Sequence, residues 1–97
     1  MIRHIVMHKL KPTASEAAVA AWKEAALKMC EDSPEVLSHS FGENCGTGPN
    51  NYDTAFIMDF ESLEVFRAYI ASDAHMAYVK EHAIPVVDTL AAIQHPL

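Results

Sequence analysis

Four stretches of the chain alternate between apolar and other residues with the period of a β-strand. In the first stretch, residues 1–10, one predicted face carries Ile2, His4, Val6, His8 and Leu10. Because successive side chains of a strand point to opposite faces of a sheet, this alternation predicts a strand. The same pattern predicts three further strands, over residues 35–45, 52–60 and 89–95. The turn-forming run Gly46–Asn51 predicts an antiparallel hairpin between the second and third strands.

The longest helical pattern follows the first strand. Residues 14–31 are rich in alanine, and Thr13 with Glu16 three residues later matches a capping box, so we expect the helix to begin there. Its apolar residues recur at helical spacing, at Val19, Trp22, Ala26 and Met29 or Cys30. We interpret this stripe as core packing, with Trp22 as a buried anchor rather than a ligand-binding aromatic residue.

A pair of shorter helices is predicted between residues 62 and 85. Ser62 suits the N-cap of the first, whose inner face is predicted to carry Leu63, Phe66 and Ile70. Asp73 is predicted to cap the second helix, which begins at Ala74. Its inner face is predicted to carry Met76, Val79 and Ala83. Pro85 limits this helix because a proline removes a helical hydrogen bond and clashes with the preceding turn.

The order of these elements predicts an α+β, ferredoxin-like fold: a four-stranded antiparallel sheet with helices on one face, formed by residues 1–97 as a single domain. Phe56, Ile57 and Met58 are apolar neighbours in one strand and cannot all face the same helical layer. A second sheet, from another copy of the chain, would cover the remaining apolar side chains. We therefore expect a homodimer that packs sheet against sheet as a dimeric α/β barrel.

Charge and composition narrow the possible partners. The net charge is −6, whereas binding to nucleic acid or to an anionic membrane needs a basic surface. No apolar run approaches the ~20 residues of a membrane span. The two cysteines are too few for a disulfide framework and fit a reducing compartment. We expect a cytoplasmic protein with no nucleic-acid partner and no membrane association.

The six histidines raise the question of a metal site. His4 and His8 share a strand face but lie four residues apart, about 13 Å along a strand, which is too far to chelate one ion. His75 and His82 lie two helical turns apart, and no metal-binding motif occurs. We therefore expect no metal and no cofactor, although a metal site assembled across the fold or between two copies is left open by spacing alone.

The segment from Tyr69 to His75 is the best candidate for a site. It is predicted to place a phenol at the end of one helix and an imidazole in the first turn of the next. The positive end of a helix disfavours an imidazolium, so His75 would stay neutral and could accept a proton. Tyr69 could donate a hydrogen bond to a carbonyl oxygen that gains charge as an enolate forms.

The chain also resembles the stress-responsive A/B barrel (Dabb) family of dimeric ferredoxin-like proteins over nearly its whole length. The residues that carry the resemblance are Arg3–Val6, Gly42–Asn44, Tyr52–Ala55, Phe60–Ser62, Tyr69–Ile70 and Ala74–His75. The chain has Ser72-Asp73 where the family often has His-Pro, so one imidazole is absent. The family includes plant stress proteins and olivetolic acid cyclase, which closes a linear polyketide. The resemblance implies that His75, Tyr69 and His4 are catalytic and that the ligand is small and hydrophobic or polyketide-like.

Three functions compete at this point. The first is a cofactor-independent cyclase, isomerase or lyase that uses Tyr69 and His75 for acid–base chemistry next to a carbonyl. The second is a non-catalytic stress-response or small-molecule-binding dimer whose histidines are structural. The third is a cofactor-independent monooxygenase on a similar dimeric barrel. The enzyme hypotheses need a cavity that the Tyr69 hydroxyl and a His75 ring nitrogen both reach.

Overall fold

A computed structural model describes residues 1–97 and shows one antiparallel sheet with three helices. The elements are β1 (Ile2–Leu10), α1 (Glu16–Asp32), β2 (Ser38–Glu43), β3 (Thr54–Phe60), α2 (Leu63–Ile70), α3 (Asp73–Tyr78) and β4 (Val87–Pro96). A π-helical turn, Val79–Ala83, continues α3 toward β4. The strands are ordered β2-β3-β1-β4, and all neighbours are antiparallel. This is the ferredoxin-like α+β arrangement that the alternating pattern predicts.

The core lies between one face of the sheet and the helices. The sheet contributes Val6, Phe56, Met58 and Phe60, which pack against Ala26, Cys30, Phe66 and Tyr69 of α1 and α2. Trp22 is fully buried, which confirms it as an anchor. His4 and His8 lie on the same face of β1 as Val6 and are also buried, so this apolar layer includes two imidazoles.

The opposite face of the sheet keeps an apolar strip at its centre. Ile5 of β1 stands opposite Ile57 of β3 and Ile93 of β4, so three isoleucines form a row across the strands. Ile93 is 57% exposed. At one end of this face Arg3 donates two hydrogen bonds to the Asp59 carboxylate, at 2.9 and 3.0 Å. We call this surface, defined by Ile5, Ile57 and Ile93, the open sheet face.

Two predicted helix caps are wrong by one or two residues. Ser15, not Thr13, caps α1: its hydroxyl accepts the Ala18 N–H at 3.1 Å, because residues before it are taken up by a turn closed from Ala14 to Lys11. Ser72, not Asp73, caps α3 by accepting the His75 N–H at 3.2 Å. The Ser62 cap of α2 is confirmed, by a 3.2 Å bond from the Val65 N–H.

The predicted inner faces of the two short helices also need correction. Met76 is 60% exposed and Leu63 is 36% exposed. The rest of both predictions is confirmed: Phe66 and Ile70 pack on the core, and Val79 and Ala83 line a cavity against the sheet. His75 and Tyr78, rather than Met76, share that cavity wall. The predicted strands are also longer than β2 and β3 and shorter than β4, since turns take up residues 35–37 and 44–53.

Candidate functional site

A cavity of about 340 Å³ lies between the sheet and the segment formed by α3 and the π-helical turn. Most of its wall is apolar and includes Val6, Phe56, Met58, Ile70 and Leu90. The polar groups on the wall are His4, His8, His75, Tyr78 and Asp88. A mainly apolar cavity with a few convergent polar groups is the usual form of a small-molecule site.

His75 lies in the first turn of α3, where the predicted helix break positions it. The Ser72 hydroxyl accepts the backbone N–H of His75 and donates to the Tyr69 carbonyl oxygen at 2.6 Å, which ties the end of α2 to the start of α3. The His75 ring packs between the rings of Tyr69 and Tyr78, at 5.4 and 5.8 Å between centroids. Burial lowers the pKa of His75, opposed in part by the Ile70 backbone, so the ring is neutral at pH 7.

His4 enters the cavity from β1 and is 7% exposed. The Gln94 side-chain amide nitrogen lies 2.9 Å from His4 Nδ1. An amide nitrogen can only donate, so Nδ1 accepts and the imidazole proton sits on Nε2. Burial, together with nearby His75, lowers the pKa of His4 to about 4. His4 is therefore a neutral imidazole with an N–H to donate.

Tyr69 is placed differently from the sequence-based expectation. Its ring edge contacts His75, but Tyr69 does not line the cavity. Its hydroxyl is buried and has no hydrogen-bond partner. Burial and the neighbouring Cys30 thiol raise the pKa of Tyr69 far above its usual range. The structure thus brings His75 and His4 to one cavity and leaves the Tyr69 hydroxyl outside it.

Two cavity residues were not singled out as site residues from the sequence. His8 is 5% exposed, and its Nδ1 lies 3.2 Å from the Thr54 hydroxyl. Burial lowers the pKa of His8 to about 4. The Tyr78 hydroxyl accepts a 2.8 Å hydrogen bond from Trp22 Nε1, and burial raises the pKa of Tyr78 to about 12. Periodicity is the sequence feature that could have indicated both residues. His8 shares a strand face with His4, and Tyr78 follows His75 by about one helical turn.

This fold agrees with what comparison with known proteins shows. The family model described as the stress-responsive A/B barrel domain matches residues 2–95. The chain belongs to this family. Among curated proteins, none matches the sequence of this A/B barrel protein.

Solved structures of other A/B barrel and ferredoxin-like proteins superpose on nearly the whole chain. A dimeric ferredoxin-like protein of unknown function from Thermobifida fusca YX is 29% identical, with a TM-score of 0.85 over 99% of this chain and 90% of its own. A Dabb family protein from Mesorhizobium loti is 23% identical, with a TM-score of 0.85 over 99% and 96%. The hydroxynitrile lyase from Passiflora edulis is 17% identical, with a TM-score of 0.88 over 99% and 92%.

The imidazoles that line the cavity of this A/B barrel protein are neutral at pH 7. No three His, Cys, Asp or Glu side chains are grouped so that they could hold a metal ion. None of the helices has the length and apolar character needed to cross a membrane. Both cysteines are free thiols, and burial raises the pKa of Cys30 to about 11, so that thiol is not a ready nucleophile. The neutral imidazoles of the cavity can accept or donate a proton.

Proposed function

We propose that this A/B barrel protein is a cofactor-independent enzyme that performs acid–base chemistry next to a carbonyl group. The observation that carries the proposal is that two neutral imidazoles, His75 and His4, face one apolar-walled cavity. A neutral imidazole can accept a proton at pH 7. The cavity volume suits a small hydrophobic or polyketide-like compound.

The two imidazoles take different roles in this proposal. His75 accepts a proton from the carbon beside the carbonyl, and the electron pair of that C–H bond moves onto the carbonyl oxygen as an enolate forms. His4 donates its Nε2–H to that oxygen while the negative charge develops. The enolate then closes onto a second carbonyl or is reprotonated at another position. In the reverse direction His75 takes the proton of a β-hydroxyl group, and the electron pair of the breaking C–C bond forms the enolate. His75 returns the proton, so no external reductant or oxidant is needed.

Tyr69 acts in this scheme as a positioning residue. Its ring packs against His75 at 5.4 Å between centroids, while its hydroxyl lies away from the cavity. Fixing the plane of the His75 ring aims its free nitrogen at the substrate, which lowers the entropic part of the barrier. The similarly folded Passiflora protein is a hydroxynitrile lyase, which supports a lyase-type reaction on this scaffold.

The proposal includes a homodimer packed through the open sheet face. The isoleucine row of Ile5, Ile57 and Ile93 leaves an apolar strip that a second copy would cover. A dimeric relative from Thermobifida fusca has the same fold at 29% identity, which supports this assembly. The cavity lies on the other side of the sheet, so each copy would carry its own site.

The test is turnover of a library of β-keto and polyketide-like compounds by the wild type and by His75→Ala. We expect the variant to lose about 10²- to 10⁴-fold in kcat, the usual contribution of a general base. His39→Ala is the matched control, because His39 is exposed and outside the cavity, and it should retain full activity. Equal turnover by wild type and His75→Ala, or none by either, would remove the enzyme proposal.

A second candidate function is a small-molecule-binding dimer without catalysis. Two hydrogen bonds favour this function. One nitrogen of His4 is bonded to Gln94 and one nitrogen of His8 to Thr54, as is common for histidines with a structural role. Saturable binding of library compounds without any turnover would select this function over the enzyme.

A further inference from the structure

The Tyr78 hydroxyl has a hydrogen-bonding capacity that the protein itself does not use. Its oxygen accepts the Trp22 Nε1–H at 2.8 Å. The indole nitrogen is a donor only, so the direction of this bond is fixed. The hydroxyl hydrogen of Tyr78 is therefore left over, and no protein group accepts it. Because Tyr78 lines the cavity, an acceptor bound there is the natural partner.

Trp22 holds this hydroxyl in a defined position. The Trp22 ring is fully buried and is clamped edge-on between His8, at 4.9 Å, and Phe41, at 5.6 Å between centroids. The Tyr78 ring is in turn packed against His75 at 5.8 Å. A donor fixed in this way loses little side-chain entropy when a ligand binds, which favours recognition of an acceptor oxygen.

The Trp22 contact places this donor toward the end of the cavity that His8 occupies. His4 and His8 are four residues apart on β1, a separation of about 13 Å along the strand. His4, the proposed hydrogen-bond donor to the carbonyl oxygen, thus lies apart from the Tyr78 hydroxyl, and the apolar residues Val6 and Phe56 are nearby on the cavity wall. His75 packs against the Tyr78 ring at 5.8 Å between centroids, so the proposed base lies close to this second donor.

We propose that Tyr78, held by Trp22, is a second oxygen-recognition point that selects ligands carrying an acceptor oxygen in addition to the carbonyl at His4. The inference rests on the proposed function and narrows its substrate class to elongated compounds with two separated oxygen acceptors and an apolar middle. The Tyr78 hydroxyl stays neutral and donates one hydrogen bond. It does not take part in the proton transfer.

The test compares two probes, 2-acetylnaphthalene and 2,6-diacetylnaphthalene, which differ by a second carbonyl at the far end. Their affinities are measured by calorimetry for the wild type and for Tyr78→Phe. In the wild type, the second carbonyl should tighten binding about 3- to 10-fold, the contribution of one hydrogen bond. In Tyr78→Phe that gain should vanish, while the affinity for the monoketone stays within about 2-fold of wild type.

Tyr78→Phe leaves the buried Trp22 N–H without a partner, so a second variant separates recognition from stability. Trp22→Phe combined with Tyr78→Phe removes both groups, and it should also show no gain from the second carbonyl. A gain that persists in either variant, or that is absent from the wild type, would overturn the role of Tyr78 while leaving the cavity as a ligand site. Failure of the wild type to bind either probe would overturn this inference together with the proposed function.

Discussion

At the scale of single residues, the unusual feature is a set of imidazoles buried in their neutral form. His4 and His8 are each less than 10% exposed and lie in a layer otherwise made of apolar side chains. Burying an imidazolium there would cost solvation free energy, whereas a neutral ring needs only its hydrogen bonds satisfied. Gln94 and Thr54 supply those bonds to one nitrogen of each ring and leave the other nitrogen for a ligand.

This protonation state makes stability depend on pH. Unfolded histidines titrate near pH 6.5, whereas folded His4 and His8 titrate near 4, so the unfolded chain binds more protons between these values. Their stabilising contribution is complete above about pH 6.5 and is lost as the pH falls toward 4. We expect the free energy of unfolding, measured in urea at fixed protein concentration, to decrease steadily from pH 7 to pH 4.5.

Histidine variants test whether the buried rings cause this pH dependence of the free energy of unfolding. His8→Leu should lose less stability between pH 7 and pH 4.5 than the wild type, because one of the groups that gains a proton on unfolding is gone. His39→Leu, at an exposed position, should follow the wild type. Asp59 does not account for a change in this pH range. Arg3 and Ser38 lower its pKa, so its contribution to stability is also lost as the pH falls, but only below about pH 3.8. Stability that does not change from pH 7 to pH 4.5 would contradict neutral burial.

Sequence patterns predict which residues lie near the site better than they predict where the functional atoms point. The helix break predicts that Tyr69 and His75 are neighbours, and their rings are in contact. It cannot predict that the Tyr69 hydroxyl turns into the core beside Cys30, because that depends on how α1 packs on α2. Tyr78 was missed for a related reason: its role depends on Trp22, 56 residues away in the chain.

At the scale of elements, the junction between α2 and α3 positions the site. Ser72 accepts the His75 N–H and donates to the Tyr69 carbonyl, so a single hydroxyl links the end of α2 to the start of α3. The following π-helical turn, closed by a 2.9 Å bond from the Ile84 N–H to the Val79 carbonyl, carries Val79, Ala83 and Ile84 onto the cavity wall. Such π turns are frequent at functional sites.

The elements themselves were predictable because their signals are local. Alternation and helical spacing indicated four strands and three helices, and Ser62 was recognised as a cap. The sequence predicts Thr13 and Asp73 as caps, whereas Ser15 and Ser72 fill that role in the structure. Several residues near each helix start can accept an N–H, and only the folded backbone selects one. The π-helical turn carries no sequence signal comparable to a capping residue or a helical stripe.

Replacing the serine cap should test the junction. Ser72→Ala removes both hydrogen bonds of the hydroxyl and should lower the free energy of unfolding by about 1 kcal/mol. It should also weaken binding of 2-acetylnaphthalene, because the α3 segment that carries His75 is no longer fixed. Ser62→Ala, which removes a cap bond of the same 3.2 Å length from α2, is the matched control. It should lose similar stability and keep its affinity, and an equal loss of affinity in both variants would contradict a specific role for Ser72.

At the scale of the whole molecule, the chain has more apolar residues than one copy can bury. Hydrophobic residues make up 51% of the sequence, yet only 14 of 97 residues are buried. Small domains bury a limited fraction of their surface, and a single sheet with helices on one side leaves its other side to solvent. The order of the elements predicts the sheet topology. The apolar area that stays exposed on the open sheet face depends on which side chains stand next to one another on β1, β3 and β4, which only the structure shows.

A charge at the centre of the open sheet face should prevent the proposed dimer from forming. Ile57 lies directly opposite Ile5, in the middle of the isoleucine row, so Ile57→Asp would bury a carboxylate without a partner when two sheets meet. We expect sedimentation to show a dimer for the wild type and a monomer for Ile57→Asp. Ala20→Asp places the same charge on an exposed position of α1 and should remain dimeric. A monomeric wild type, or a dimeric Ile57→Asp, would show that this face does not join two copies.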